Sequence, residues 1–414
     1  MIIRRFVFYG LLTVMAEKTN GVANPGPGSG EIFQYFRDQV PKTRAQLATL
    51  TGLSRSTVGG RLDALVELGL IASAGGAHST GGRPSSLFAL ATESRWVVGV
   101  DLGARHATVG IADLSGKLLV ETTQDIEIAE GPTIILELVI SIVRDLLAQK
   151  SLSVSSLLSL GIGVPGPVEH LTGKPATPPI MPGWDGFDIP GWVGSRLGIP
   201  VLVDNDVNLM ALGERSMAWP QVDELMFVKV STGIGSGIIS GGLLQRVAQG
   251  TAGDIGHIQI SGDEVKACHC GNHGCLEANA AGPAVISSLQ RSGVAVSSTT
   301  ELIALVRQGN IDAIGAVREA GRKIGEVLAM SVSMINPSVI VLGGSMAQAG
   351  EHLIAGVREI VYLRSMPLAS RHLAIVASRA AQQDGVVGAA IMALEHSLSA
   401  ENIDAMLNQT ELSK

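Results

Sequence analysis

Aromatic residues are scarce in this 414-residue chain, at 3%, and it has only three cysteines. With so few rings, its cores must be built from Val, Ile, Leu and Ala, and a hydrophobic content of 46% suffices for that. All three cysteines fall within one short stretch, which argues against a disulfide-stapled secreted scaffold and fits a reducing cytoplasm. Charged residues are also few, at 16%, and the net charge of −7 excludes a wholly basic nucleic-acid wrapper. One local basic face remains compatible with it. Glycine is abundant instead, at 51 residues, and Gly-rich turns between aliphatic strands indicate α/β architecture. The length implies two or three domains.

The first residues, MIIRRFVFYGLLTVM, pair two arginines with an apolar run that superficially resembles a signal peptide. No small-x-small cleavage site follows, and the run is too short to span a bilayer. Residues 1–28 therefore read as an over-extended start or a flexible tail, with Met1 and Met15 both open as the start.

Residues 29–92 read as a winged helix-turn-helix. Ile32, Phe33, Phe36 and Val40 recur at helical spacing before Pro41, and Thr43 caps a second helix with Leu47 and Leu50 inward. Gly52 breaks that helix, and Leu53-Ser54 turn into a third from about Arg55 to Leu68. Strands at Leu70–Ser73 and Leu87–Leu90 flank a Gly-rich wing. Ser54, Arg55, Ser56 and Thr57 would face a DNA major groove, Arg61 a phosphate and Arg83 a minor groove. From Glu31 to Leu90, six cations stand against four anions, unlike the acidic whole. Packing or protein contact is the alternative use of such a unit.

From Trp96, three strands joined by tight turns form a meander, the first ending in Asp101-Leu102-Gly103. A helix over Pro132–Gln149, a strand over Leu157–Val164 and a strand entering Asn205-Asp206 follow. Strand, Gly turn and strand then recur around Gly233–Gly237, and Gly343-Gly344 follows a later strand. The units are read as residues 95–220, residues 221–382, and a C-terminal helix in 383–414 packing back on the first lobe. Two similar α/β units meet at a cleft, where ligands generally sit.

The stretch from Gly250 to Glu277 carries Cys268, Cys270 and Cys275, with His257 upstream. Three thiols and one imidazole form the closed set that a structural zinc ion takes. Cysteines one residue apart are poor disulfide partners. His269 and His273 lie in the same loop as competing ligands.

Gly250-Thr-Ala-Gly-Asp-Ile-Gly-His257 followed by Cys268-His-Cys-Gly-Asn-His-Gly-Cys-Leu-Glu277 resembles the ROK family of repressors and sugar kinases. Asn205-Asp206 and Thr232-Gly-Ile-Gly235 add to the likeness, which runs from about Trp96 to Leu398. With the helix-turn-helix in front, the chain is similar to that family's sugar-responsive repressors. The resemblance implies a two-lobed actin-like (ribonuclease-H-like) fold with a sugar between the lobes. Asn205, Asp206, Asp254, His257 and Glu277 would contact it, with His257 serving zinc and sugar through different ring nitrogens. Asp254 stands where the family generally carries Glu.

In a kinase Asp206 would be the general base, and Asp101, Gly103, Thr232, Gly233, Gly235, Gly343 and Gly344 would hold ATP with Mg²⁺. Family kinases carry Asp-x-Gly-Gly-Thr after the first strand. Here Ala104 and Arg105 follow Gly103, crowding the phosphate approach. The expectation is a cytoplasmic, sugar-responsive repressor on operator DNA, a homodimer or homotetramer without a membrane partner. A sugar kinase, alone or combined with regulation, is the alternative.

Overall fold

The computed structural model describes residues 28–76, 86–261, 266–380 and 382–412. The N-terminal unit comprises α1 (Ser29–Gln34), β1 (Lys42–Thr43), α2 (Arg44–Thr51), α3 (Arg55–Glu67), β2 (Ile71–Gly76) and β3 (Ser86–Leu90). Its strands form a sheet in the order β1-β3-β2. Thr43 starts α2 with a capping box: its hydroxyl accepts from the Gln46 amide, and Gln46 accepts from the Thr43 amide at 2.8 Å. Gly52 ends α2 at φ +72°, and the Ser54 hydroxyl starts α3 by accepting from the Thr57 amide.

Two details differ from the sequence reading. The first helix stops at Gln34 instead of running to Val40, because the Asp38 carboxylate accepts the Val40 amide at 2.9 Å and Gln39 turns left-handed ahead of Pro41. Val40 and Leu50 are exposed, so Phe36 and Leu47 fill the core without them.

The larger region repeats one plan twice. Strands β4 (Trp96–Leu102), β5 (His106–Asp113), β6 (Leu118–Asp125), β7 (Leu157–Val164) and β10 (Val201–Asn205) form a sheet ordered β10-β7-β4-β5-β6. Between β7 and β10 come a ribbon of β8 (Val168–Glu169) with β9 (Lys174–Pro175) and helix α5 (Ile189–Leu197). Helix α4 (Pro132–Gln149) precedes β7 at its expected bounds, and α6 (Asp206–Ala218) follows β10. The second sheet runs β13-β12-β11-β14-β15, from β11 (Leu225–Val230), β12 (Ile234–Ser240), β13 (Leu243–Leu244), β14 (Val339–Gly343) and β15 (Ala374–Ala377). In both sheets an antiparallel meander adjoins parallel strands, and parallel pairing requires crossover connections. In the second lobe these include α7 (Leu276–Ala280), α8 (Gly282–Arg291), α9 (Thr299–Arg307), the long α10 (Ile311–Ile335), α11 (Glu351–Arg364) and α12 (Pro367–Ser370).

The expected single C-terminal helix is two, α13 (Asp384–Ser397) and α14 (Ala400–Leu412). Helix α13 lies against β4, β7 and α6, whereas α14 packs on α1 of the N-terminal unit. Glycines let α13 approach: a Cβ on Gly388 would overlap the Leu209 carbonyl, and one on Gly213 the Asp384 carbonyl. Gly388→Ala is expected to cost about 1–3 kcal/mol through overpacking. An unchanged melting temperature would contradict this close approach.

The Gly233–Gly237 stretch is mostly strand, not turn. The turn is confined to Ser231–Gly233, and Gly235 and Gly237 lie within β12. A Cβ on Gly237 would press on Ala211 Cβ at 2.6 Å and the Val207 carbonyl at 2.7 Å. That glycine serves helix–sheet packing.

Candidate functional site

A cleft of about 1870 Å³ opens between the two sheets. Asn205 and Asp206 enter it at the junction of β10 and α6, His257 from a short 3₁₀ turn after Asp254, and Glu277 from α7. Asp101, Gly103, Thr232, Gly233, Gly235, Gly343 and Gly344 line the same cleft. One cavity thus unites both expected groups of small-molecule contacts. Loop 178–184 forms another part of the wall and is anchored by buried Trp184, whose indole N–H donates to the Ile128 carbonyl at 3.1 Å.

Several of these side chains are already engaged. Asn205 Oδ1 caps α6 by accepting from the Val207 amide at 3.0 Å, while its Nδ2 donates to the Gly166 carbonyl at 2.8 Å. Glu277 accepts from the Ile234 amide at 3.1 Å. Gly233 leaves room for it, since a Cβ there would stand 2.6 Å from Glu277 Oε2. Arg105 is exposed and sits 3.6 Å from Glu127 at the rim. It therefore does not reach inward as a replacement phosphate ligand in this conformation.

Asp206 is buried and ion-paired with Lys229, a residue the sequence reading missed. Lys229 is the one charged residue in the strand Leu225–Val230, and that isolation was the available signal. Burial pulls the Lys229 ammonium down, but Asp206, Asp101 and Asp384 outweigh it and hold the group charged. Burial pushes Asp206 up and Lys229 opposes that rise. A charged ammonium in direct contact favours the ionised form of its partner.

Two further groups were not singled out from sequence. Asp204 is buried, accepts Asn208 Nδ2 at 2.8 Å and pairs with Arg246 at 2.6 Å, tying β10 to the segment leading into Gly250. Asp384 opens α13 at 3% exposure, with one carboxyl oxygen accepting the Gly385 amide at 3.0 Å and the other unpartnered.

Burial and neighbouring Asp101 push the Asp384 carboxyl up to about 8. Glu214 on α6 adds to the rise, and Lys229 on β11 and the Gly385 amide oppose it. His106 on β5 faces the other side of Asp101 at 3.3 Å. A carboxyl raised by folding gives stability that is whole below its ordinary range and is lost as pH rises toward 8. Asp384→Asn, which keeps the acceptor for Gly385, should gain melting temperature relative to the parent as pH rises from 5 to 8.5. A gap constant across that range would contradict the burial of an ionisable group here.

The loop beside the cleft brings His257, Cys268, Cys270 and Cys275 together, with one ligand atom from each within 4.8 Å of all the others. Zn–S and Zn–N lengths of about 2.3 and 2.0–2.1 Å in a tetrahedron imply S···S of about 3.8 Å and S···N of about 3.6 Å. Cys270 and Cys275 sulfurs lie 3.7 Å apart, and Cys268 Sγ lies 3.6 Å from His257 Nδ1. The thiols are free, and 3.7 Å far exceeds a disulfide bond. The donor set therefore fits a tetrahedral metal ion. Burial and the adjoining thiols push Cys275 up to about 12, an accumulation that a bound cation would offset. His269 and His273 are exposed and stand outside the set. With Nδ1 toward the sulfurs, His257 Nε2 faces Asp254 at 4.0 Å.

Away from the cleft, Arg55, Ser56 and Thr57 are exposed on the first turn of α3. The Ser54 hydroxyl is shared with Thr57 and Ser56 at 2.8 Å each, and Arg61 is half-buried. Gly60 is exposed with open space where a Cβ would stand. Arg83 lies outside the described residues.

The ROK family pattern matches residues 97–396, and an IclR helix-turn-helix domain matches residues 30–75. The chain belongs to the ROK family. The xylose repressor of Caldicellulosiruptor bescii is 27% identical over 383 residues, covering 89% of this chain and 95% of that protein. A crystal structure of a ROK family transcriptional regulator, a homologue of the E. coli MLC protein, is similar in fold. Its TM-score is 0.78 at 23% identity, covering 92% of this chain and 98% of that one. The ROK hexokinase of Thermus thermophilus has a TM-score of 0.60 at 29% identity, covering 72% of this chain and 97% of that one. The two-lobed ROK architecture with an N-terminal helix-turn-helix is thus shown. Among the described residues, no helix is long and apolar enough to cross a membrane.

Proposed function

We propose that this ROK protein is a transcriptional repressor whose grip on operator DNA weakens when a monosaccharide occupies the cleft. The observation that carries this is the shared core of the two regions. Ile32, Phe33, Leu62 and Leu65 of the helix-turn-helix pack in one cluster with Val97 of the first lobe and Ala393 and Leu394 of α13. Arg55, Ser56 and Thr57 meet base edges and phosphates, with Ser54 ordering that turn, Arg61 on a phosphate and Arg83 in the wing. A homodimer or homotetramer presents two such units to paired half-sites. D-xylose is the first sugar to test, because a similar protein is named a xylose repressor.

Asn205, Asp206, Asp254, His257 and Glu277 take the sugar hydroxyls. Asn205 does so while capping α6, and Glu277 through the oxygen left free by Ile234. His257, Cys268, Cys270 and Cys275 hold a structural zinc, which supplies no chemistry beyond bracing the wall. His257 Nε2 is left to face a hydroxyl, the double use of a ligating imidazole. With Asp254 one methylene shorter than the family's usual Glu, the separation of 4.0 Å from His257 leaves space for a ligand oxygen.

Kinase turnover is the second reading, favoured by Asp206 and by Thr232, Gly233, Gly343 and Gly344 across the cleft. Against it stand Ala104 and the Lys229 ammonium, which occupies the carboxylate that would accept the hydroxyl proton. A gel shift on the chain's own upstream DNA in low salt should show binding, and its absence would remove the repressor reading. A coupled ATPase assay with pentoses, hexoses and amino sugars should show no turnover. Turnover abolished by Asp206→Asn would establish the kinase instead.

A further inference from the structure

Asp384 belongs to neither the metal wall nor the Asn205-Asp206 pair, yet it lines the same cleft. Its side chain is almost wholly buried, and one carboxyl oxygen has no partner. An unsatisfied buried oxygen costs free energy unless something else completes it. The surrounding charges do not complete it. Asp101 disfavours its ionisation without bonding it, Glu214 is committed to the Ser378 hydroxyl and the amides of Arg379 and Ala380, and Lys229 is paired with Asp206. An unmet carboxyl oxygen enclosed in the wall of an open cavity is a place that a ligand hydroxyl would fill by shifting the first turn of α13.

Asp384 is also the first residue of α13, which meets its neighbours by close backbone contact at several glycines. Gly213 and Gly388 seat it against α6, the helix that begins at Asp206, while Gly99 and Gly161 let strands β4 and β7 abut its carbonyls at Val386 and Ala389. With backbone in direct contact at these four glycines, a shift at its first turn is passed along the helix. Fourteen residues carry it about 21 Å.

The far end of α13 packs against the DNA-binding unit. Ala390, Ala393, Leu394 and Leu398 share a core with Phe33, Phe36 and Leu62, and Gln34 Nε2 donates to the Leu398 carbonyl at 2.8 Å. Helix α14 continues the link, as Asp404 accepts the Gly30 amide at 2.8 Å. One rigid helix therefore joins the cleft wall to the base of the helix-turn-helix.

Building on the repressor reading above, we propose that Asp384 is the sensing residue of the cleft. Its free oxygen bonds a hydroxyl of the bound sugar, and α13 carries the resulting shift to the DNA-binding unit. Asp384 is thus a ligand contact whose main effect falls on coupling, whereas Asn205 and Glu277 contribute mainly to affinity.

The test uses the full-length chain, D-xylose and fluorescent upstream DNA. For the parent protein, saturating D-xylose should weaken DNA affinity by about 5–150-fold, the usual range of allosteric coupling. For Asp384→Asn that ratio should fall below about threefold at sugar concentrations shown to saturate the variant. A purely structural role would alter DNA affinity with and without sugar alike and leave the ratio intact, which would overturn the inference while sparing the repressor reading. A parent protein that binds D-xylose without any change in DNA affinity would overturn both. Hydrogen exchange on the parent alone gives a second arm that needs no variant. Residues 384–390 should gain protection with D-xylose, and unchanged exchange there would contradict their role.

Discussion

Cys270→Ser is expected to strip the metal from the wall of the cleft, taking metal content from one ion per chain to near zero. Cys270 is exposed, so the substitution removes almost no packing, and any large effect must come from lost coordination. Structural zinc supplies about 10–16 kcal/mol of apparent binding energy in small zinc-finger peptides, much of it expressed as folding energy. In this larger domain the retained core limits the damage, and a fall in melting temperature on the order of 10 °C is expected. Sugar binding should fail with it, because His257 would lose the bond that aims its Nε2 toward Asp254 and the cleft. Elemental analysis and melting curves on parent, variant and chelator-treated parent check this. A parent protein free of metal, melting like the variant, would refute the metal site.

Lys229→Met should be the most damaging single change in the cleft. It leaves Asp206 buried and without its counter-ion, and breaking a buried pair by removing one partner costs about 3–5 kcal/mol. The unpaired Asp206 would resist ionisation under the burial that already pushes it up. The loss should therefore be larger at pH 8, where the carboxyl is driven to ionise, than at pH 5. Adding Asp206→Asn to Lys229→Met should recover part of the stability, because the uncompensated charge then disappears. Chemical unfolding of the two single variants and the double variant measures the coupling. Additive losses would show that the pair contributes nothing jointly.

The features legible in the sequence were those whose partners lie close along the chain. The metal loop could be read because Cys268, Cys270 and Cys275 adjoin one another and His257 is near. The capping of α2 and α3 by Thr43 and Ser54 was likewise local, and α4 and β7 follow directly from their apolar patterns. Lys229 escaped notice because its meaning depends on Asp206, across a helix and a change of sheet. Asp384 escaped for the same reason: α13 reads as an Ala-rich helix, and only tertiary contact sets its first residue beside Asp101.

The glycines of 233–237 read as one turn, whereas the turn ends at Gly233 and Gly237 is needed where α6 presses on β12. The exposure of Val40 shows the limit of helical spacing in a short helix, where one Asx turn ends the periodicity, and Leu50 is exposed on the last turn of α2.

The account depends most on a sugar in the cleft changing the affinity of the chain for DNA. Fluorescence anisotropy of the intact protein on its own upstream DNA, titrated at fixed salt with and without saturating D-xylose, measures this directly. The expected result is tight binding without sugar and an affinity about 5–150-fold weaker with it. Identical isotherms, with the sugar shown by calorimetry to be bound, would contradict the account.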